Sequence, residues 1–101
     1  MVEDAEQDLF DIYRYVAAND SAEKAERLLD NIEKTIGRLE TVPQRGHYPA
    51  ELQQIGVRDY REIFFKPYRI IYQTIESNVY VHCVLDGRRD LQDLLEERLM
   101  R

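Results

Sequence analysis

The chain has 101 residues, 44% of them hydrophobic and 34% charged, with a formal net charge of −6. That length holds one domain, spanning residues 1–101, with one modest core, and the acidic balance argues against promiscuous binding to nucleic acid, which needs a phosphate-neutralising basic face. The longest apolar runs, around Ile63-Phe64-Phe65 and Ile70-Ile71-Tyr72, are strand-sized and exclude a membrane span.

The charge is unevenly spread. Residues 1–57 carry six Lys and Arg against twelve Asp and Glu, whereas residues 58–101 carry eight of each sign. A confined basic site around Arg61, Arg69, Arg88 and Arg89 is therefore compatible with the sequence. The acidic opening Met1-Val2-Glu3-Asp4 has no apolar segment of a secretory signal. A lone cysteine, Cys83, has no partner for an internal disulfide, and together these features lead to the expectation of a cytoplasmic protein.

In chain order, Ala5, Leu9, Ile12 and Val16 recur at helical spacing and predict a helix over 3–18. Asn19-Asp20-Ser21 breaks it, and Asp20 followed by Glu23 fits a capping box for the next helix. Ala25, Leu29, Ile32, Ile36 and Leu39 carry that second helix to about Thr41, where Pro43 stops it. So short a connection makes the pair an antiparallel hairpin with one apolar side. After a loop from Pro43 to Gly56, residues 58–65, 68–75 and 79–85 are rich in Tyr, Ile, Val and Phe and predict three strands. Their connections at Lys66-Pro67 and Glu76-Ser77-Asn78 are short enough for antiparallel hairpins. Beyond Gly87, Leu91, Leu94, Leu95 and Leu99 mark a short helix. Helices and strands are segregated, which gives an α+β class: a helical hairpin packed on a small antiparallel sheet, with a short C-terminal helix.

Three segments placed on that order resemble the RelE/ParE toxin superfamily, the toxins of type II (plasmid stabilisation) toxin–antitoxin systems. Residues 5–16, Ala5-Glu6-Gln7-Asp8-Leu9-Phe10 to Val16, are similar to its opening helix. Tyr68-Arg69-Ile70-Ile71-Tyr72 is similar to its central strand, and Val84-Leu85-Asp86-Gly87-Arg88-Arg89-Asp90-Leu91 to the exit from its last strand. Pro43 and Gly46 fit the family's Pro-x-x-Gly. Departures accompany the likeness. Only Met1 to Glu3 precede the first helix where relatives carry a short strand, and Asp86 stands where many have His. Against the basic set of RelE-type nucleases, Arg69 matches the central-strand Arg and Arg88 or Arg89 the later one. Arg61 lies near a family Lys, but Ile63 stands two positions on, and no Tyr or His occurs from Asp90 to Arg101. The nuclease set is incomplete.

Arg69 interrupts an apolar strand, so it either orients a phosphate or a partner's carboxylate, or makes an ion pair with Glu62 or Asp86. Arg88 and Arg89, after a glycine at a strand exit, suit phosphate or the acidic arm of an antitoxin. The candidate binding residues are thus Arg69, Arg88 and Arg89, joined by Arg61 as catalytic candidates if the chain cuts RNA. His47 reads as a surface-loop residue, His82 as a sheet-face residue and Cys83 as buried packing. The tyrosines at 60, 68, 72 and 80 read as packing residues. Two histidines and one cysteine make no metal-ligand spacing, and no cofactor is expected.

The resemblance implies a cognate antitoxin as partner, with a disordered segment laid over the sheet and the hairpin. Three functions stay open: a ParE-like inhibitor of DNA gyrase, a RelE-like interferase cutting mRNA on the ribosome, and an inactive relative kept as a regulatory partner. RNA cleavage through the 2′-OH needs a base, an acid and a cation at the phosphorane; the only bases on offer are Asp86 and His47.

Overall fold

The computed structural model describes residues 1–99, in the order α1 (Glu3–Asn19), α2 (Ala22–Gly37), α3 (Ala50–Gln53), β1 (Arg61–Phe65), β2 (Tyr68–Ile75), β3 (Asn78–Asp86) and α4 (Leu91–Leu99). The α+β class agrees with the reading of the sequence, and so does the element order apart from α3, which falls in the expected loop. The two long helices form because their apolar residues repeat at helical spacing, and they end where the pattern does. At the start of α2 the cap is Ser21, not the expected Asp20–Glu23 box: the Ser21 hydroxyl accepts from the Lys24 N–H at 3.1 Å. Asp20 instead pairs with Lys24 one turn on, at 3.1 Å. The second helix is also shorter than expected. It leaves α geometry at Gly37 and runs on as a 3-10 turn over Arg38–Glu40. The loop from 43 to 56 is not structureless; it holds a 3-10 turn at Pro43–Arg45 and the single turn α3. Gly56 closes that segment at φ 78°, a left-handed conformation that glycine adopts without strain.

The sheet is antiparallel in the order β1-β2-β3. Register pairs Ile63 with Ile70 and Phe64 with Arg69 across β1–β2, and Ile70 with Val84 and Ile71 with Cys83 across β2–β3. Because side chains alternate faces, Ile63, Ile70, Tyr72, Val81 and Val84 meet the helical hairpin through Ala5, Leu9, Ile32 and Leu39. The opposite face buries Ile71, Cys83 and Leu85 against Leu52 of α3 and Leu91, Leu94 and Leu95 of α4. The Leu99 side chain lies outside the described part. A bulge between Ile71 and Tyr72 leaves His82 opposite no residue of β2, so the alternation of β3 slips there and both Val81 and Val84 reach the hairpin side.

The outer edge of β3 is less bare than the two residues before α1 would suggest. The Val2 N–H donates to Val81 O at 3.0 Å. Asp8 accepts from the Val84 N–H at 2.9 Å, and Arg98 donates to His82 O at 3.0 Å. Asp8 and Arg98 also pair with each other at 2.5 Å, though 90 positions apart, so one carboxylate ties α1, β3 and α4 together. Edge groups that would otherwise template another strand are thereby occupied.

Candidate functional site

The most polar part of the interior lies on the α3–α4 side of the sheet. Arg69 projects from the start of the central strand β2 and is 8% exposed; beside it on β1 is Glu62, 4% exposed. A buried charge of this kind persists only with partners, and here there are two. Arg69 Nε donates to Glu62 Oε2 at 2.8 Å, and Nη2 to the same oxygen at shorter range. Its other edge makes a two-pronged bond to Glu51 of α3, Nη1 to Oε2 at 2.8 Å and Nη2 to Oε1 at 2.7 Å. The side-chain hydrogen bond from Arg69 lowers the pKa of Glu51, and the paired carboxylates raise that of Arg69. The second oxygen of Glu62 lies 2.9 Å from His47 Nε2. His47 is itself held by backbone bonds in both directions with Glu62, at 3.1 and 2.7 Å, and its ring stacks on Phe64 with centroids 5.3 Å apart.

The loop that carries His47 is fixed from below by Tyr72. Its hydroxyl donates to Pro43 O at 2.7 Å and accepts from the Gly46 N–H at 2.9 Å. This is the physical content of the Pro-x-x-Gly spacing: the turn presents a carbonyl at one end and an amide at the other to the same phenol. Gly46 has to be glycine, since a Cβ there would stand 2.6 Å from Glu62 O and from the Tyr72 hydroxyl.

The four arginines singled out in the sequence do not form one cluster. Arg69 is shared by Glu51 and Glu62. Arg61 donates to Gly46 O at 2.9 Å and to the Tyr48 hydroxyl at 3.2 Å, with its guanidinium 4.6 Å from the Tyr48 ring centroid. Arg88 pairs with Asp86 at 3.1 Å on an exposed turn, and this holds the Asp86 carboxyl below its usual range. Arg89 is exposed and its side chain has no partner among the described residues. Arg88 and Arg89 line a common cavity with Asp8, Asp11, Tyr15 and Tyr68, and neither Arg61 nor Arg69 is in its wall. Of the two alternatives for Arg69, the ion pair with Glu62 is present; the one with Asp86 is not.

Sequence reasoning missed Glu51, which sits on a single helical turn with no periodicity to read. It also missed the Asp8–Arg98 pair, although Asp8 stands between Ala5 and Ile12 on the apolar stripe of α1, where a carboxylate needs a reason. His47 is exposed, as a loop residue should be, yet it is bonded into the network. His82, half-buried on its strand, has its pKa lowered by burial, and Cys83 is wholly buried with its thiol pushed up to about 11. Among the described residues no three His, Cys, Asp or Glu side chains come together as a metal site, and no helix is long and apolar enough to cross a membrane.

What the network can do follows from its charge. Two carboxylates face one guanidinium, and every N–H of Arg69 that points at them is used. A phosphate approaching this face meets a site that is negative or at best neutral, the reverse of what stabilises a phosphorane.

Comparison with known proteins bears on the identity. A family profile described as "ParE toxin of type II toxin-antitoxin system, parDE" matches residues 2–91. The chain is 30% identical over 84 residues to Toxin ParE3 of Caulobacter vibrioides, covering 83% of this chain and 80% of that one. A solved structure of a chromosomal ParDE toxin–antitoxin system from P. aeruginosa has the same fold, with a TM-score of 0.72 at 19% identity over 84% of this chain and 89% of the other. The chain therefore belongs to the ParE toxin family and is the toxin component of a type II toxin–antitoxin system, with a cognate antitoxin as its partner.

Proposed function

We propose that the chain acts in the cytoplasm by binding DNA gyrase and blocking it, and not by cutting RNA. The observation that carries this reading is the capture of Arg69 between Glu51 and Glu62. That arginine is the strongest candidate to stabilise a cleaved phosphodiester, and its Nε, both Nη2 hydrogens and one of Nη1 are committed to carboxylates inside the protein. Arg61 is likewise bonded into the 43–48 loop, and the segment from Asp90 onward offers no Tyr or His. A protein target makes no such catalytic demand and tolerates the acidic surface. Arg89, exposed and unpaired among the described residues where β3 leaves the sheet, and Arg88, exposed but bonded to Asp86, are the candidate residues for carboxylates of the antitoxin.

The test is induced expression without antitoxin, followed by separate labelling with thymidine, uridine and methionine. Early failure of thymidine incorporation, with inhibition of plasmid supercoiling by purified gyrase, is the expected result. Early failure of methionine incorporation, with cleaved message, would replace this reading with the ribosome-dependent interferase.

A further inference from the structure

A second polar site lies at the other edge of the sheet, where the end of α2 passes β1. A cavity of about 400 Å³ opens there, lined among others by Lys34, Arg38, Arg45, His47 and Phe64. Such a volume suits a small polar molecule. Its charge is opposite to that of the chain as a whole. Lys34, Arg38 and Arg45 are exposed, and none has a carboxylate partner among the described residues. The one acid in the wall, Glu62, is buried and already bonded to Arg69 and His47. The C-terminal end of α2 favours Lys34 in its last turn and Arg38 just beyond it, but Arg45 comes from a separate turn and is not explained in that way.

The rest of the wall is specific in a different sense. Phe64 is 47% exposed although it lies in a strand, and it carries the His47 ring stacked on it. Its backbone is also available. In an antiparallel ladder, bonded and non-bonded positions alternate; Glu62 turns its N–H and C=O outward to His47, so Phe64, two residues on, turns its own outward as well. Ile63 and Phe65 face β2, and the chain turns at Lys66-Pro67. The free edge is therefore one residue long. That is too short for an added strand, and it removes an extended acidic peptide as the natural occupant. One donor–acceptor pair, an aromatic face and three unpaired cations fit a smaller ligand with a flat hydrogen-bonding ring and phosphates.

We propose that this cavity binds a phosphorylated nucleoside, with its phosphates on Lys34, Arg38 and Arg45, its base against Phe64 and His47, and the base edge on the outward backbone of Phe64. The same chemistry is presented by a free nucleotide and by one nucleotide of a single strand. The site does not depend on the gyrase reading, because it shares no cation with the Arg69 network.

Calorimetric titration of the full-length chain with ATP, adenosine, inorganic phosphate and a single-stranded hexanucleotide tests it. Saturable binding of ATP is expected, with adenosine and phosphate each weaker by about tenfold or more, since each keeps only part of the contacts. Arg45→Ala and the Lys34→Ala/Arg38→Ala pair should each weaken ATP by about tenfold or more. Phe64→Ala, which removes the ring and keeps the backbone pair, should weaken ATP by about tenfold or more and leave phosphate unchanged. All these side chains are exposed, and unchanged thermal melting of the variants verifies their folding. A hexanucleotide that binds more tightly than ATP and is displaced by it supports the strand as source; one that binds more weakly than ATP, or does not bind, supports the free nucleotide. Absence of saturation with both ligands, or ATP affinity unchanged in the folded cation variants, overturns the proposal.

Discussion

Tyr72→Phe isolates the link between sheet and loop. The ring is fully buried and stays in place, so the apolar area removed from water is unchanged. What is lost is one hydroxyl, and with it the partner of both the Gly46 N–H and the Pro43 carbonyl. Each buried polar group left unsatisfied costs about 1–3 kcal/mol, and the phenyl ring's easier burial offsets a part of that. The expected net loss is about 2–3 kcal/mol, measured as a shift of the urea midpoint at unchanged slope. In a domain of this size it lowers Tm by roughly 10–20 °C. A loss below about 0.5 kcal/mol, ordinary for a surface substitution, would refute the claim that the phenol holds the loop. It would mean that the backbone pairing of His47 with Glu62 suffices without it.

Other consequences are equally specific. Gly46→Ala is expected to destabilise the chain by at least about 2 kcal/mol in the same denaturation assay, because its Cβ would meet backbone and a buried phenol that cannot both retreat. Asp8→Ala removes the acceptor of Val84 and the partner of Arg98, whose Nε is already buried without one. A loss of about 3 kcal/mol is expected, with faster amide exchange at Val84 as the local signature. The pKa of Glu51 is lowered by its bond to Arg69, so its stabilisation is complete above its unfolded value of 4.5 and disappears as pH falls through the depressed folded value. Glu51 is partly exposed, which screens the effect; Glu51→Gln should therefore flatten the acid limb of the stability–pH curve modestly and leave it unchanged at pH 7 to 8 apart from a constant offset. Cys83, buried with a thiol pushed up to about 11, should resist an aromatic disulfide reagent at pH 8 until denaturant is added.

The residues themselves determined the elements. Helical spacing in α1 and α2, β-rich runs at β1 to β3, and Pro43 and Gly87 as stops are local properties, set within a few residues of chain. They were sufficient for the class and the order, and a charge inside an apolar strand was enough to mark Arg69 as unusual. The wrong cap and the early end of α2 were also local matters, but there several near-equal options compete: Asp20 and Ser21 both cap well, and only the path of the chain out of α1 selects one. Partners were decided by the tertiary structure alone. Glu51 reaches Arg69 because α3 packs across the sheet; Arg98 reaches Asp8 because α4 returns over the β3 edge; Lys34 and Arg38 meet Arg45 because the loop pinned by Tyr72 turns back beneath α2. Periodicity states which face a side chain is on, but not what the chain brings opposite it, and the chemistry of a buried charge is set by what stands opposite.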